Sequence, residues 1–377
     1  MSDTAGDTVA DWMALVENLY PARHVATWDN VGLQVGDPSW PVERVLVTLD
    51  VTPAVIEEAS HGPRTLVLAH HPLLFRPLPS VTPSTASGRT ALLAASRSIA
   101  IAAAHTNLDV ATDGAGTSDP VARLLDLQDV RPLTTETAEG RRVKLVVFVP
   151  PGDVDRVLDA VAAAGAGTIG DYDRCSFQVP GTGTFLPRQG TDPHVGDVGT
   201  DNVVDEIRLE VELPSTRTGD VVRALRDAHP YEEVAFDLYQ VIDAPGHGFG
   251  RLGTLPSPMP LRAVAAAIRD RLPAPHLRFA GEPDRLIRTL AVVGGAGDGL
   301  IGAAAASGVD CYVTGDLRHH VTIDALTQGI TLIDAGHHAT EVAALPSWVT
   351  RLEQAAGPRN LSARVVASAV DTVPWAR

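Results

Sequence analysis

Apolar residues recur at three- and four-residue spacing over 8–20. Val9, Trp12, Met13, Val16 and Leu19 share one face and Asp7 stands ahead as a cap, so the chain opens on an amphipathic helix. A Gly- and Pro-punctuated loop, TWDNVGLQVGDPSW, follows. The pattern then changes: 44–49 (RVLVTL), 65–69 (TLVLA) and 99–104 (IAIAAA) are unbroken apolar runs of strand length, separated by helical segments at 53–59 and near 89–97. Continuous apolar strands alternating with helices predict a parallel-type sheet covered on both faces, an α/β architecture.

Near residue 140 the texture shifts. RRVKLVVFVP predicts a strand, 151–164 an Ala-rich helix, and 165–202 is a long Gly-rich stretch. VVDEIRLEVEL at 203–213 alternates apolar and charged residues, as a half-exposed strand does. A helix at 217–228 and a turn and strand in HPYEEVAFDLYQV complete a strand–helix–strand–strand–helix–strand order, which is ferredoxin-like. This block predicts a separate domain at about 142–242, with DAPGHGFG as a linker. The buried α/β texture then returns. Helices are expected at 261–272, 300–307, 321–328 and 340–355, strands at 311–314 and 331–334, a strand running into a Gly-rich turn over 289–299, and a closing strand in LSARVVAS.

Four of the strands, at 65–69, 99–104, 311–314 and 331–334, each run into a His/Asp/Glu cluster just past the carboxyl end. Ligands of open α/β sheets bind beyond the carboxyl ends of the strands. Four such clusters on one sheet edge would converge, two of them from each side of the inserted block.

Composition narrows the chemistry. With 30 Lys+Arg against 46 Asp+Glu the net charge is −16, and Lys144 is the one lysine. Such a surface disfavours nucleic acid, whose binding comes largely from neutralising phosphates. The two cysteines, Cys175 and Cys311, are far apart, which gives neither a Cys-based zinc site nor a disulfide framework and fits a reducing, cytoplasmic setting. The N-terminus reads as neither signal nor transit peptide, and no run of about 18 apolar residues predicts a membrane span.

Taken singly, each cluster has a plain structural alternative. His70-His71 before Pro72 can be a turn, HTNLD (His105 to Asp109) a capped turn, and His337 with Glu341 an exposed helical pair. Together they offer imidazole and carboxylate without thiolate, a set that suits zinc, iron, manganese or nickel. Five residues form the candidate set for two divalent ions: His70, His71, Asp109, His337 and Glu341. Glu341 is placed to bridge and Asp109 to offset charge; His105, Asp316 and His320 are candidates for proton transfer or for support of the ligands. GGAGDG (294–299), between a strand and a helix, could hold a phosphate on backbone N–H groups or be only a tight turn.

At HHPLLF, HTNLD, TGDLRHH and GHHATE, in that order, the sequence resembles the Nif-three-like (NGG-one-interacting factor three-like) family, whose bacterial members are often named type 2 GTP cyclohydrolase homologues. WDNVGLQVGD is similar to the family's N-terminal motif, and the block with GTGTFLP and HPYEE resembles the PII/CutA-like domain of longer members. The resemblance implies a two-lobed α/β core at 1–140 and 246–377 with an inserted ferredoxin-like α+β domain at 141–245. It implies a dinuclear metal site on the five residues named, and a toroidal homohexamer built as a trimer of dimers. The activity implied is hydrolytic opening of the guanine imidazole ring of GTP or of a similar small molecule. A non-catalytic metal-handling or regulatory protein and an interaction scaffold stand as alternatives. Position 319 is His where many relatives have Tyr, and His338 is a further histidine; either could add a ligand, and both stay outside the core set.

Overall fold

A computed structural model describes residues 6–111, 114–134, 142–170, 172–241 and 247–375. It divides the chain into two compact units, 1–138 with 245–377 and, between them in sequence, 139–244.

The larger unit contains two mixed sheets. The first runs in the order Gly32–Val35, Ala100–Ala103, Thr65–Ala69, Arg44–Thr48, Arg364–Ala367. All its pairings are parallel except that of the Gly32–Val35 edge. Strand residues alternate between two apolar layers, as the period of two requires. Val45, Val47, Leu66 and Leu68 pack under the helices Val9–Leu19 and Leu345–Ala356, which bury Trp12 and Trp348. Leu46, Val67 and Ile101 pack on the opposite face against Val55 and Ile56 of the helix Pro53–Ser60 and Ala94 of the helix Ala86–Ser96.

The second sheet has the order Arg278–Ala280, Thr331–Asp334, Cys311–Gly315, Leu286–Ala296, Arg251–Pro260, Gln128–Arg131. Three of its four inner strands, Leu286–Ala296, Cys311–Gly315 and Thr331–Asp334, are parallel to one another. Leu290, Val292, Val313 and Ile333 face the helix Leu261–Arg269, while Ala291, Val293, Tyr312 and Leu332 face Ile301 and Ala304. The four ligand-bearing strands therefore divide between two sheets, not along the single edge expected. The expected helix at 340–355 is two helices, His337–Val342 and Leu345–Ala356, with Pro346 in the first turn of the second, where its missing N–H costs no hydrogen bond.

The smaller unit is an antiparallel four-stranded sheet in the order Phe177–Phe185, Asn202–Pro214, Arg142–Val149, Phe236–Gln240. The helices Val154–Ala163 and Thr218–Ala228 bury Val157, Val161, Val221 and Leu225 against it. This is the ferredoxin-like arrangement, whose second strand, Phe177–Phe185, lies at the sheet edge inside the Gly-rich stretch. Pro180, Gly181 and Gly183 are tolerated there because one side of an edge strand needs no ladder bonds. Part of the expected linker, 243–246, lies outside the described residues.

Candidate metal centre

His70 and His71 follow directly on the buried strand Thr65–Ala69, and the first sheet holds both main-chain amides. His70 N donates to Thr48 O at 3.0 Å and His71 N to Leu49 O at 2.9 Å. His105 follows Ala100–Ala103 and precedes the short helix Thr106–Asp109. From the second sheet, Asp316 follows Cys311–Gly315 in a left-handed conformation (φ 58°). His337 and Glu341 sit one turn apart on His337–Val342, which starts just past Thr331–Asp334.

The carboxyl ends of the two sheets meet at these side chains. His71 Nε2 lies 3.2 Å from His337 Nε2. Glu341, buried, stands between them: its Oε2 is 3.1 Å from His71 Nε2 and 3.0 Å from His337 Nε2, and its Oε1 is 3.6 Å from His70 Nε2. Asp109 Oδ1 lies 3.5 Å from His70 Nε2 and accepts a 2.5 Å hydrogen bond from Thr117 Oγ1. His71, His337 and Glu341 form one group, and His70, His71 and His105 another, whose ligand atoms lie within 4.8 Å of one another.

The opposite ring nitrogens decide what this arrangement can do. His70 Nδ1 meets Ala104 O at 3.1 Å, His71 Nδ1 meets Asp50 Oδ1 at 2.8 Å and His337 Nδ1 meets Asp316 Oδ2 at 2.7 Å. His105 Nδ1 likewise meets Asp29 Oδ1 at 2.8 Å. An acceptor on Nδ1 fixes the proton there and leaves Nε2 as a lone pair. Lone pairs of His70, His71 and His337 thus converge on the oxygens of Glu341, and lone pair against lone pair is repulsive until a cation enters. His70 Nε2 and Glu341 Oε2 are buried without a hydrogen bond of good geometry. Protons are one remedy. Burial opposes charge on His71, but Asp50 and Glu341 outweigh it and raise the ring to about 10. His337 rises against the same burial penalty to about 9, through Glu341 and Asp316. Burial would raise Glu341, yet the three histidines hold it well below the carboxylate range. Divalent ions are the other remedy, and the donor set fits them.

Gly295 lets the two sides approach. It has φ +72°, and a Cβ built there would collide with Glu341 Oε1. Three of the main-chain amides of GGAGDG are committed to side chains of the protein. Gly294 N donates to Ser118 Oγ (3.1 Å), Gly295 N to Thr340 Oγ1 (2.9 Å) and Gly297 N to Thr314 Oγ1 (2.9 Å), so those amides are spent inside the protein.

The structure does not bring every candidate in. His320 is exposed at the start of the helix His319–Thr327, with its ring against His319 (centroids 5.1 Å apart). His338 turns toward Asp371, 3.9 Å away, and Arg318 pairs with Asp298. The residues missed are the orienting carboxylates, Asp29 and Asp50. Asp50 sits just past the strand Arg44–Thr48, where the strand-end rule applied to 65–69 would have found it. Beside His71 and His337 opens a cavity of about 980 Å3, lined also by Asp50, Leu73, Leu317 and Trp375.

Fold and site together define an α/β protein whose larger unit brings two sheets together at a histidine–carboxylate cluster with a donor set that could hold a metal ion. Residues 8–374 match the Duf34/NIF3 (NGG1p interacting factor 3) family, and the chain belongs to it. The GTP cyclohydrolase 1 type 2 homolog of Bacillus subtilis is 38% identical over 363 residues, 96% of each chain. That of Mycobacterium tuberculosis is 42% identical over 339 residues, 88% of each. The solved structure of a Bacillus cereus protein related to NIF3 is 36% identical with a TM-score of 0.68, covering 98% of this chain and 99% of its own. Among the described residues no helix is long and apolar enough to cross a membrane.

Proposed function

We propose that the chain is a metal-dependent hydrolase of a nucleotide-like small molecule, with two divalent ions held by His70, His71, Asp109, His337 and Glu341. The observation that carries this reading is the set of three imidazole lone pairs aimed at one buried carboxylate, each fixed by an acceptor on the far side of its ring. Glu341 presents one oxygen toward His70 and the other toward His71 and His337, and would be the carboxylate that helps hold the ions there. Ions bound there would supply Lewis-acid activation of water and of the bond to be cut.

The chain's own groups supply the rest. Asp50 and Asp316 hold the rings of His71 and His337. His105, its Nδ1 engaged by Asp29, keeps a second nitrogen with which to take or give a proton beside the ligands. Asp316 acts through His337, and His320 receives no role. The names of the curated relatives make GTP the first substrate to try. The reading includes a cytoplasmic ring of six subunits, carried by the family resemblance and tested by solution mass.

The test is elemental analysis of wild type and Glu341→Gln, followed by GTP turnover. Two transition ions per chain, falling to one or none in the variant along with turnover, support the proposal. Less than one ion in reconstituted wild type, or intact turnover in Glu341→Gln, overturns it.

A further inference from the structure

Aromatic residues make up only 5% of the chain, and of its five tryptophans Trp12 and Trp348 are in the core. Trp28, by contrast, is 61% exposed and Phe75 41% exposed. Single exposed rings are ordinary. These two are not single: their centroids lie 6.0 Å apart at 62°, and both stand edge-on to His105, Trp28 at 6.1 Å and 79° and Phe75 at 6.3 Å and 84°. His105 in turn lies 5.0 Å from the His70 ring and 5.6 Å from the His71 ring. Two exposed rings therefore flank the one candidate proton-transfer group, a single ring away from the metal ligands.

The loops that carry them are anchored. Asp29, next to Trp28, has a fully buried side chain that accepts from Thr106 N (3.1 Å), from Thr106 Oγ1 (2.6 Å) and from His105 (2.8 Å). On the other side of Trp28, Ala26 N donates to Thr106 Oγ1 at 2.9 Å. Asn30 Nδ2 donates to Leu74 O, Leu74 N donates to Gln34 Oε1 at 3.0 Å, and Gln34 Nε2 donates back to Asn30 O at 2.9 Å. This closed circuit ties the loop of Trp28 to the loop of Phe75. Apolar rings fixed on such a frame, yet left in solvent, are pre-organised for a flat apolar partner, whose ordering cost is then small.

We propose that Trp28 and Phe75 form an aromatic corner that receives a planar heteroaromatic ring and presents it to His105 and the metal centre. The inference rests on the hydrolase reading and specifies its substrate class. The 62° between the rings rules out a parallel sandwich, so the ligand ring lies flat on one of them and meets the other edgewise. Stacking of this kind tolerates different bases, so discrimination among planar rings falls to other groups.

The test is calorimetric titration of the full chain as purified, with its metal, using guanosine and adenosine as planar probes and ribose 5-phosphate as the non-planar control. In Trp28→Ala and in Phe75→Ala, binding of both nucleosides should weaken about tenfold or more. Trp28→Phe, which keeps a ring, should stay within about threefold of wild type. Affinity for ribose 5-phosphate, metal content and oligomeric mass should not change. No nucleoside binding by wild type, or undiminished binding by both alanine variants, overturns the proposal. So does a change of oligomeric mass in Trp28→Ala, which would make the pair a subunit contact. Undiminished nucleoside binding beside metal-dependent turnover sinks the corner and leaves the hydrolase; a wild type without metal sinks the hydrolase while calorimetry still decides the corner.

Discussion

Replacing Gly295 by alanine adds one methyl group, and the structure says where it must go. Gly295 has φ +72°, and its Cβ would collide with Glu341 Oε1 and approach His337 Nε2 to 3.4 Å. The backbone cannot swing aside freely. Its N–H donates to Thr340 Oγ1 at 2.9 Å and its carbonyl accepts from Thr314 Oγ1 at 3.0 Å. Thr340 Oγ1 is itself bound to Gly336 O and His337 O. The Glu341 carboxylate is therefore the group that yields. The left-handed conformation costs alanine about 1–2 kcal/mol. A stability of roughly 5–15 kcal/mol absorbs that, so the variant stays folded. Metal affinity should suffer more. Disturbing even the groups that orient a ligand costs about 10- to 100-fold, and here the ligand itself moves. Competition against a chromophoric chelator measures this, with circular dichroism to confirm folding. Gly299→Ala is the control, because nothing lies within 4 Å of a Cβ at Gly299 and its backbone is not left-handed. Wild-type affinity in Gly295→Ala, or an equal loss in Gly299→Ala, would refute the reasoning.

The other predictions concern support, protons and the frame. Asp50→Asn should weaken metal binding about 10- to 100-fold by freeing the His71 tautomer. Thr372→Val, which removes the 2.6 Å hydrogen bond to Asp50 Oδ2, should weaken it less; equal chelator competition in all three proteins would refute the coupling. In metal-free protein the raised rings of His71 and His337 add stability that is complete below about 6.5. That stability is lost as pH climbs through about 9 and about 10, so the metal-free melting temperature should fall over that range, and a flat or rising profile there would contradict the assignment. Metal binding at neutral pH should release protons from the same rings, which calorimetry in buffers of different ionisation enthalpy would detect. Asp119→Ala strands the buried Arg251 guanidinium and should cost about 3–5 kcal/mol in urea unfolding; a loss under about 1 kcal/mol would show the pair to be solvated.

What the sequence made legible follows from the range of each contact. An apolar run that stops at His70-His71 marks a strand end, and a four-residue step from His337 to Glu341 marks one helical face; both signals are local, and both residues of the second pair meet at 3.0 Å. Asp50 and Asp29 orient rings 21 and 76 positions away; the end of the strand Arg44–Thr48 points to Asp50 as a member of the site, but no local pattern reports which ring either carboxylate pairs with. Short strands escaped for a related reason. Gly32–Val35, Gln128–Arg131 and Arg278–Ala280 have three or four residues, too few to show a period. Arg251–Pro260 carries Pro256, Pro258 and a register shift between Thr254 and Met259. With those strands unseen, one sheet sufficed to explain the apolar runs.

The second sheet changes what the centre depends on. His70, His71 and Asp109 belong to the first sheet's side, and His337 and Glu341 to the second's. Neither half holds the full set of donors, and each half has one buried member without a hydrogen bond of good geometry, His70 Nε2 and Glu341 Oε2. The chain closes the first sheet last, with Arg364–Ala367 beside Arg44–Thr48, so the helix carrying Glu341 is bracketed by strands of both sheets. The smaller unit enters and leaves between strands of the second sheet, Gln128–Arg131 and Arg251–Pro260, which pair antiparallel. An insertion at that point lengthens a connection between strands adjacent in the second sheet and falls, in sequence, between the ligand-bearing segments and within none of them.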